Sequence, residues 1–214
     1  MRPLGAYALD RICVFAGSRL GNDARYAAAA RLLADALARC GLGLVYGGAR
    51  IGLMGALADR ALSAGVPVIG VLPRALSHVD FAHPGLDELR IVDDMHERKK
   101  TMAQLADAFL ALPGGFGTLE ETCEMLTCTD LGLHRKPVGL LDVAGYWRHL
   151  EDLLDTATTA GFVTAHGRRQ LIRSEDPDQL LDDLAAWQPP PIDPRVSIPT
   201  EALAAVPDGA TENR

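Results

Sequence analysis

The 214-residue sequence contains few cysteines, lysines and aromatic residues, and its shortages exclude several classes of protein. Four cysteines without a Cys-x-x-Cys pair do not support a disulfide framework, and six scattered histidines without a His-Glu-x-x-His motif predict no metal site. The net charge of −7 opposes a broad nucleic-acid-binding surface, which would need a basic face. Because neither a secretory signal nor a membrane-spanning apolar run is present, we expect a cytoplasmic protein that binds neither nucleic acid nor membrane.

The common signatures of cofactor and triphosphate binding are also missing. Residues 17–21 read Gly-Ser-Arg-Leu-Gly, which differs from the Gly-x-Gly-x-x-Gly of dinucleotide-binding proteins, and no acid after Gly47-Gly48 could hold a ribose. A P-loop would need Gly-Lys followed by Ser or Thr, and no such tripeptide occurs. A Schiff base to pyridoxal phosphate would have few candidates, since the only lysines are Lys99, Lys100 and Lys136. We therefore predict no cofactor and a small ligand that carries a single phosphate.

Apolar runs and helical patterns alternate along the chain. The apolar runs that predict strands lie at 12–16, 42–46, 67–72, 89–92, 108–112 and 138–141, with a last short apolar piece at 171–172. Helical patterns begin near residues 22, 52, 93, 118, 145 and 177. This alternation predicts a doubly wound, Rossmann-like α/β fold with a mostly parallel sheet, in a single domain over residues 1–187. The Pro-rich residues 188–214 predict an extended or disordered tail.

One stretch, residues 109–124, combines a strand, a glycine turn and the start of a helix. Its middle reads Pro113-Gly114-Gly115-Phe116-Gly117-Thr118, followed by Glu120 and Glu121. Such a turn leaves backbone N–H groups free at the positive end of a helix, and glycine lets an anion approach them closely. We predict that a phosphate binds the N–H groups of Gly115, Gly117 and Thr118. The turns at Gly17-Ser18 and Gly47-Gly48 also follow strands, so all three are expected around one cleft.

Two charged residues near this cleft have two interpretations each. The spacing Thr118-x-x-Glu121 is that of a capping box, but a carboxylate beside a glycine turn is also well placed for catalysis. Arg98 lies four residues after Asp94, which is typical of a solvated ion pair along a helix, although a guanidinium can also orient a carboxylate or phosphate. Spacing alone favours the cap and the surface pair.

Four segments, in order, resemble the LOG (Lonely Guy) family of cytokinin riboside 5′-monophosphate phosphoribohydrolases. Residues 113–121 match the Pro-Gly-Gly-x-Gly-Thr-x-x-Glu motif of that family, and residues 97–102 resemble its Glu-Arg-Lys-x-x-Met segment. Residues 47–55 and 14–18 are similar to its second and first glycine turns. The sequence departs from the family pattern at Ala49, Arg19 and Cys128, and these departures bear on substrate preference more than on reaction type.

The resemblance implies hydrolysis of the N-glycosidic bond of an N6-modified adenosine 5′-monophosphate to free base and ribose 5-phosphate. A carboxylate near the anomeric carbon would stabilise the oxocarbenium-like state and take a proton from water, and we assign that catalytic role to Glu121. We expect Arg98 to orient Glu121 and to help keep it ionised, because a nearby cation lowers the pKa of a carboxylate. The resemblance also implies a homodimer with the helices near Arg98 and Thr118 at or near the interface. The implied phosphate- and nucleotide-binding residues are Gly17, Ser18, Gly47, Gly48, Met54, Lys99, Gly114, Gly115, Gly117, Thr118 and Glu120.

Two other functions remain open at the level of sequence. A carrier of a nucleotide or phosphorylated cofactor could use the same cleft without chemistry, because a fold alone does not fix function. A pyridoxal-dependent amino-acid decarboxylase is the second, since that label is often attached to such sequences. The presence of both Arg98 and Glu121 favours the hydrolase.

Overall fold

The computed structural model describes residues 9–77 and 81–189, which form seven strands and seven α-helices. The strands are β1 (Arg11–Phe15), β2 (Gly43–Tyr46), β3 (Val68–Pro73), β4 (Glu88–Val92), β5 (Ala108–Ala111), β6 (Val138–Leu141) and β7 (Leu171–Ser174). The helices are α1 (Ala24–Cys40), α2 (Gly52–Ser63), α3 (Met95–Leu105), α4 (Phe116–Asp130), α5 (Arg148–Thr159), α6 (Ala165–Arg168) and α7 (Pro177–Ala186), with a short 3₁₀ helix at Arg74–Leu76.

All strand pairs in the sheet are parallel, and the strand order is β4-β3-β2-β1-β5-β6-β7. Strand β1 lies between β2 and β5, so that Cys13 is in register with Val45 on one side and with Phe109 on the other. The chain order reverses at β1, which makes the crevice between the carboxyl ends of β1 and β5 the topological switch point. The predicted doubly wound fold is confirmed.

Helices cover both faces of the sheet. Helices α1, α2 and α7 pack on one face, where Leu33, Leu57 and Leu180 are completely buried. Helices α3, α4 and α5 pack on the other face, around Met102 and Trp147. Burial of each such side chain contributes about 1.5–3 kcal/mol, and burial on both faces explains why the strands read as continuous apolar runs.

The sequence prediction differs from the structure mainly at element ends. Helix α4 begins at Phe116, two residues before Thr118, because Gly115 takes the N-cap position. Helix α5 begins at Arg148 rather than near Gly145, since Ala144 and Gly145 both have positive φ, at 58° and 74°.

Two short elements were not predicted from sequence. The apolar piece at 171–172 proves to be part of β7, and α6 is only four residues long. Of the predicted tail, only residues 188 and 189 lie within the described residues, so the domain boundary stays a prediction. No helix within residues 9–77 and 81–189 is long and apolar enough to cross a membrane.

Candidate functional site

The turns after β1 and β5 are joined directly at the switch point. The Gly17 N–H donates to the Pro113 carbonyl at 3.1 Å, and the Gly17 carbonyl accepts from the Leu53 N–H of α2 at 2.9 Å. A Cβ on Gly114 would overlap with the Thr118 side chain, and one on Gly52 would overlap with the Ser18 backbone. The glycines at these two positions therefore let the first turn, the start of α2 and the start of α4 meet.

A cavity of about 350 Å³ opens at this junction. Its walls come from the β1 turn, the β5 turn, α1, α2 and the loop after β6; among its lining residues are Ser18, Arg19, Tyr26, Gly115, Phe116 and Tyr146. Phe116, at the start of α4, is 93% exposed. The sheet thus holds an open cavity where the fold class places ligands.

The start of α4 presents free backbone N–H groups. The first hydrogen bond of the helix runs from the Leu119 N–H to the Gly115 carbonyl at 3.1 Å, so the N–H groups of residues 115–118 precede the ladder. A Cβ added to Gly115 or Gly117 would meet no atom within 4 Å, and neither residue has positive φ. No contact within the described chain therefore requires glycine at these two positions. A ligand that binds the N–H groups would require it, because a Cβ would hinder its approach.

The capping-box interpretation of Thr118 and Glu121 is wrong. Gly115 is the N-cap, so Thr118 is the third helical residue, where its side chain is buried at 3% exposure. The Thr118 carbonyl accepts from the Thr122 hydroxyl at 2.6 Å, as an interior helical residue does. No described side chain caps the start of α4, and the Glu121 carboxylate accepts from Arg98 instead.

Glu121 instead pairs with Arg98 from helix α3. Arg98 Nη1 donates to Glu121 Oε1 at 3.1 Å, and Arg98 Nε donates to the Val71 carbonyl of β3, also at 3.1 Å. The two side chains are only 12% and 10% exposed. Asp94 accepts from the N–H groups of His96 and Glu97 as the N-cap of α3, so the predicted surface pair with Arg98 is wrong.

Gly47 leaves space for the Arg98 guanidinium. A Cβ at residue 47 would overlap with Arg98 Nη2 and lie 3.2 Å from Met54 Sδ. Gly48 next to it has φ +74°, a conformation that favours glycine, and its Cα packs between β3 and Leu89. The second glycine turn therefore supports the Arg98–Glu121 pair, and Met54 lies beside it.

Burial decides the electrostatics of this pair. Burial raises the pKa of the Glu121 carboxyl above its ordinary value, while the Arg98 guanidinium lowers it by a smaller amount. The prediction that Arg98 lowers the pKa of Glu121 is confirmed in direction, but the larger effect of burial, which the sequence could not show, leaves the net pKa raised. A buried carboxylate with a raised pKa and a specific charged partner is typical of a general base or acid. Neither Glu121 nor Arg98 is among the residues that line the 350 Å³ cavity.

Lys99 and Glu120 form a second bridge between α3 and α4. Lys99 Nζ donates to Glu120 Oε1 and lies 3.0 Å from Glu124 Oε2. The hydrogen bond to Glu120 raises the pKa of Lys99. Lys99 was expected to bind the nucleotide, but its charge is already matched by two carboxylates. The bridge runs beside the Arg98–Glu121 pair and holds the same two helices together.

Sequence reasoning missed Tyr26, Tyr146 and Arg19 as cavity residues. Arg19 was noticed only as a departure from a family pattern, and Ala49, another departure, is completely buried. A signal for Tyr146 was present, because Gly145-Tyr146-Trp147 follows β6 and so lies at the same edge of the sheet as the glycine turns. In the described part of the chain, no group of three or more His, Cys, Asp or Glu side chains could hold a metal ion.

Known proteins resemble this chain over most of its length. The profile of a family described as "possible lysine decarboxylase" matches residues 54–184. A probable cytokinin riboside 5′-monophosphate phosphoribohydrolase of Oryza sativa subsp. japonica is 47% identical over 80% of this chain and 77% of its own length. A cytokinin riboside 5′-monophosphate phosphoribohydrolase of Rhodococcoides fascians is also 47% identical, over 77% of this chain and 84% of its own.

Solved structures share the fold at lower identity. The molybdenum cofactor carrier protein of Chlamydomonas reinhardtii superimposes with a TM-score of 0.63 at 23% identity, over 83% of this chain and 99% of that chain. At that identity the likeness shows a common architecture and leaves the chemistry to the site residues.

Proposed function

Because the chain belongs to the LOG family of cytokinin riboside 5′-monophosphate phosphoribohydrolases, we propose that it hydrolyses N6-modified adenosine 5′-monophosphates. The bond between the base nitrogen and the anomeric carbon breaks, and its electron pair leaves with the base. Water supplies oxygen to the anomeric carbon and, overall, one proton to the base, which yields free base and ribose 5-phosphate. The observation that carries this proposal is the buried Arg98–Glu121 pair, one helical turn from the free N–H groups of residues 115–118.

The 5′-phosphate would bind at the start of α4. The N–H groups of Gly115, Gly117 and Thr118 precede the helical ladder, and the positive end of the helix favours an anion there. Gly114 and the first turn, Gly17-Ser18, complete the wall of the cavity on that side. Binding energy from the phosphate, which does not react, would hold the sugar against the catalytic pair.

Glu121 would act on the sugar. Cleavage of a glycosidic bond develops positive charge on the ring, so a carboxylate next to the anomeric carbon stabilises the transition state. The same carboxylate can take a proton from the attacking water, and its raised pKa suits that role. Arg98, which is held by the Val71 carbonyl, would fix the direction of the carboxylate.

The lysines are poorly suited to form the Schiff base with pyridoxal phosphate that a decarboxylase would need. Lys99 is paired with Glu120 and Glu124, and Lys136 Nζ donates to the carbonyls of Ala103 and Ala106, at 2.7 Å each. These bonds occupy two of the three lysines in the sequence. An amine held this way cannot readily attack a carbonyl carbon.

We also propose a homodimer with helices α3 and α4, which carry Arg98 and Thr118, at or near the interface. Apolar side chains line a second cavity of about 300 Å³ between α4, α5 and α6, among them Leu126, Leu154 and Phe162. Phe162 is 88% exposed, and a second subunit against this face would bury it. Light scattering during gel filtration tests this: Phe162→Asp should shift a dimer towards monomer, and a wild-type monomer would contradict it.

We also place the enzyme in the cytoplasm. None of the four cysteines forms a disulfide within the described residues, as is usual for proteins of a reducing compartment. Fractionation of cells that express the full chain, with detection by an antibody, would contradict this location if the protein were recovered outside the cytoplasmic fraction.

The decisive experiment is product identification. The purified protein is incubated with AMP, with isopentenyladenosine monophosphate and with the corresponding nucleosides, and the free bases are separated by chromatography. Release of base from a monophosphate but not from its nucleoside supports the proposal. Tight binding of the monophosphate without release of base would instead indicate a carrier.

A further inference from the structure

Tyr146 contacts the backbone of the β5 turn through its hydroxyl. The residue lies in the loop between β6 and α5, its ring lines the 350 Å³ cavity, and its hydroxyl donates a hydrogen bond to the Gly114 carbonyl oxygen. Gly114 and Gly115 are linked by a peptide whose flanking residues both lack Cβ. Because glycine has no Cβ, the backbone on both sides of a Gly-Gly peptide can adopt many conformations. A hydrogen bond to the carbonyl of this peptide restricts that backbone freedom.

This bond determines the direction of the next N–H group. The Gly114 carbonyl and the Gly115 N–H belong to one planar trans peptide, in which the two groups point in opposite directions. With the carbonyl turned towards Tyr146, the Gly115 N–H is turned away from it. A hydrogen bond at the carbonyl also polarises the peptide and makes its N–H a stronger donor.

The loop that carries Tyr146 is built to hold the ring in place. Ala144 and Gly145 both have positive φ and reverse the chain just before Tyr146. The ring of Tyr146 packs edge-on against Trp147, at 5.0 Å between centroids, and against Tyr26 at 6.0 Å. Trp147 is fixed in turn, since its backbone N–H donates to the buried Asp142 carboxylate at 3.0 Å.

Asp142 is itself held by Arg173 at the end of β7. Arg173 donates to Asp142 through Nε at 3.1 Å and through Nη2. Glu151 of α5 lies 3.1 Å from the same guanidinium. A chain of bonds therefore runs from β7 through Asp142 and Trp147 to the hydroxyl on the glycine turn.

We infer that Tyr146 is a positioning residue for phosphate binding: its hydroxyl orients the Gly114–Gly115 peptide so that the Gly115 N–H donates to the 5′-phosphate of the substrate. The inference rests on the proposed function for the identity of the substrate. Tyr146 does not touch the glycosidic bond in this scheme. Its contribution is made equally in the ground and transition states, so its loss should change binding more than turnover.

Tyr146→Phe tests the inference, because it removes one hydroxyl and keeps the ring. We expect the KM for an N6-modified adenosine monophosphate and the Kd for ribose 5-phosphate to rise by roughly tenfold, as loss of one hydrogen bond predicts, with kcat unchanged. Tyr46→Phe is the matched control, because it removes a buried hydroxyl that makes no hydrogen bond among the described residues and that lies outside the cavity lining. It should leave both constants as they are.

The outcomes separate this inference from the proposed function. Binding of ribose 5-phosphate is measured by calorimetry and needs no turnover, so it tests Tyr146 even if the wild-type protein releases no base. A Kd for ribose 5-phosphate that is unchanged in Tyr146→Phe would overturn the inference. A similar loss of affinity for the nucleoside without phosphate would also overturn it, since that result indicates a general effect on the cavity.

Discussion

Arg98 Nη1 lies 3.1 Å from Glu121 Oε1, and this contact joins two helices whose paired residues are 23 positions apart in sequence. Both partners are nearly buried. The pair therefore combines two opposing effects on one carboxylate: loss of water raises the pKa of Glu121, and the guanidinium lowers it by less. Arg98 favours the ionised form of Glu121 against the effect of burial, which makes each residue sensitive to a change in the other.

Glu121→Gln should lower kcat by roughly two orders of magnitude or more, because a positioned acid or base typically contributes that much. The substitution keeps the size of the side chain and an oxygen for Arg98. The turnover of N6-modified adenosine monophosphate is measured by release of free base. Glu88→Gln is a matched control on the edge strand β4, where Glu88 pairs with Arg90, and it should retain full turnover.

Stability gives an independent check on the same variant. The folded-state pKa of Glu121 is raised, so its contribution to the free energy of unfolding is complete below its unfolded pKa and is lost as pH rises through the folded pKa. Glu121→Gln should therefore be at least as stable as wild type at neutral pH, and the difference should shrink in acid. A clear loss of stability at neutral pH would indicate a mainly structural role for Glu121.

Arg98→Gln should move the acid limb of the pH profile. Activity requires ionised Glu121, so kcat/KM of the wild type should fall with decreasing pH at a value above the ordinary carboxyl pKa of about 4.3. Removal of the guanidinium removes the effect that lowers the Glu121 pKa, and the limb should shift to higher pH. Arg90→Gln, at an exposed ion pair, is the control and should not shift it. A shift to lower pH would refute this account.

Gly117→Ala should separate stability from binding. The added methyl group meets no protein atom, and alanine is favoured over glycine in a helix by up to about 1 kcal/mol, so the variant should unfold at the same or a higher denaturant concentration. The methyl group would, however, occupy space that the phosphate needs, so the Kd for ribose 5-phosphate should rise. Gly55→Ala is the contrast, because its Cβ would overlap with the Arg50 carbonyl and should reduce stability.

Gly47→Ala should act through Arg98. The new Cβ would overlap with Arg98 Nη2, which displaces the guanidinium from Glu121 and lowers turnover. A double-mutant cycle tests whether Gly47→Ala lowers activity by displacing Arg98. In an Arg98→Ala background the second substitution should cause little further loss of kcat/KM, whereas independent effects would multiply.

The sequence predicted the fold well because the fold depends on local and repeating features. Apolar runs of strand length that alternate with helical patterns have one common arrangement, and six of the seven strands were located from them. The seventh, β7, was missed as a strand because only Leu171 in it is buried. The glycine turns were equally visible, since glycine marks turns and close contacts in the chain itself.

The sequence by itself determined the parallel architecture, the three glycine turns at one edge of the sheet and the family. Tertiary structure decided the partners of the charged groups. The spacing of Glu121 from Thr118 predicted a helix cap, and the spacing of Arg98 from Asp94 predicted a surface ion pair. In the structure, Arg98 and Glu121 instead pair with each other across two helices. Tertiary structure also set the pKa of Glu121 and brought Tyr146 to Gly114. The reason is physical: local spacing fixes which groups can meet within one helix, while burial and distant contacts exist only once the helices have packed on the sheet.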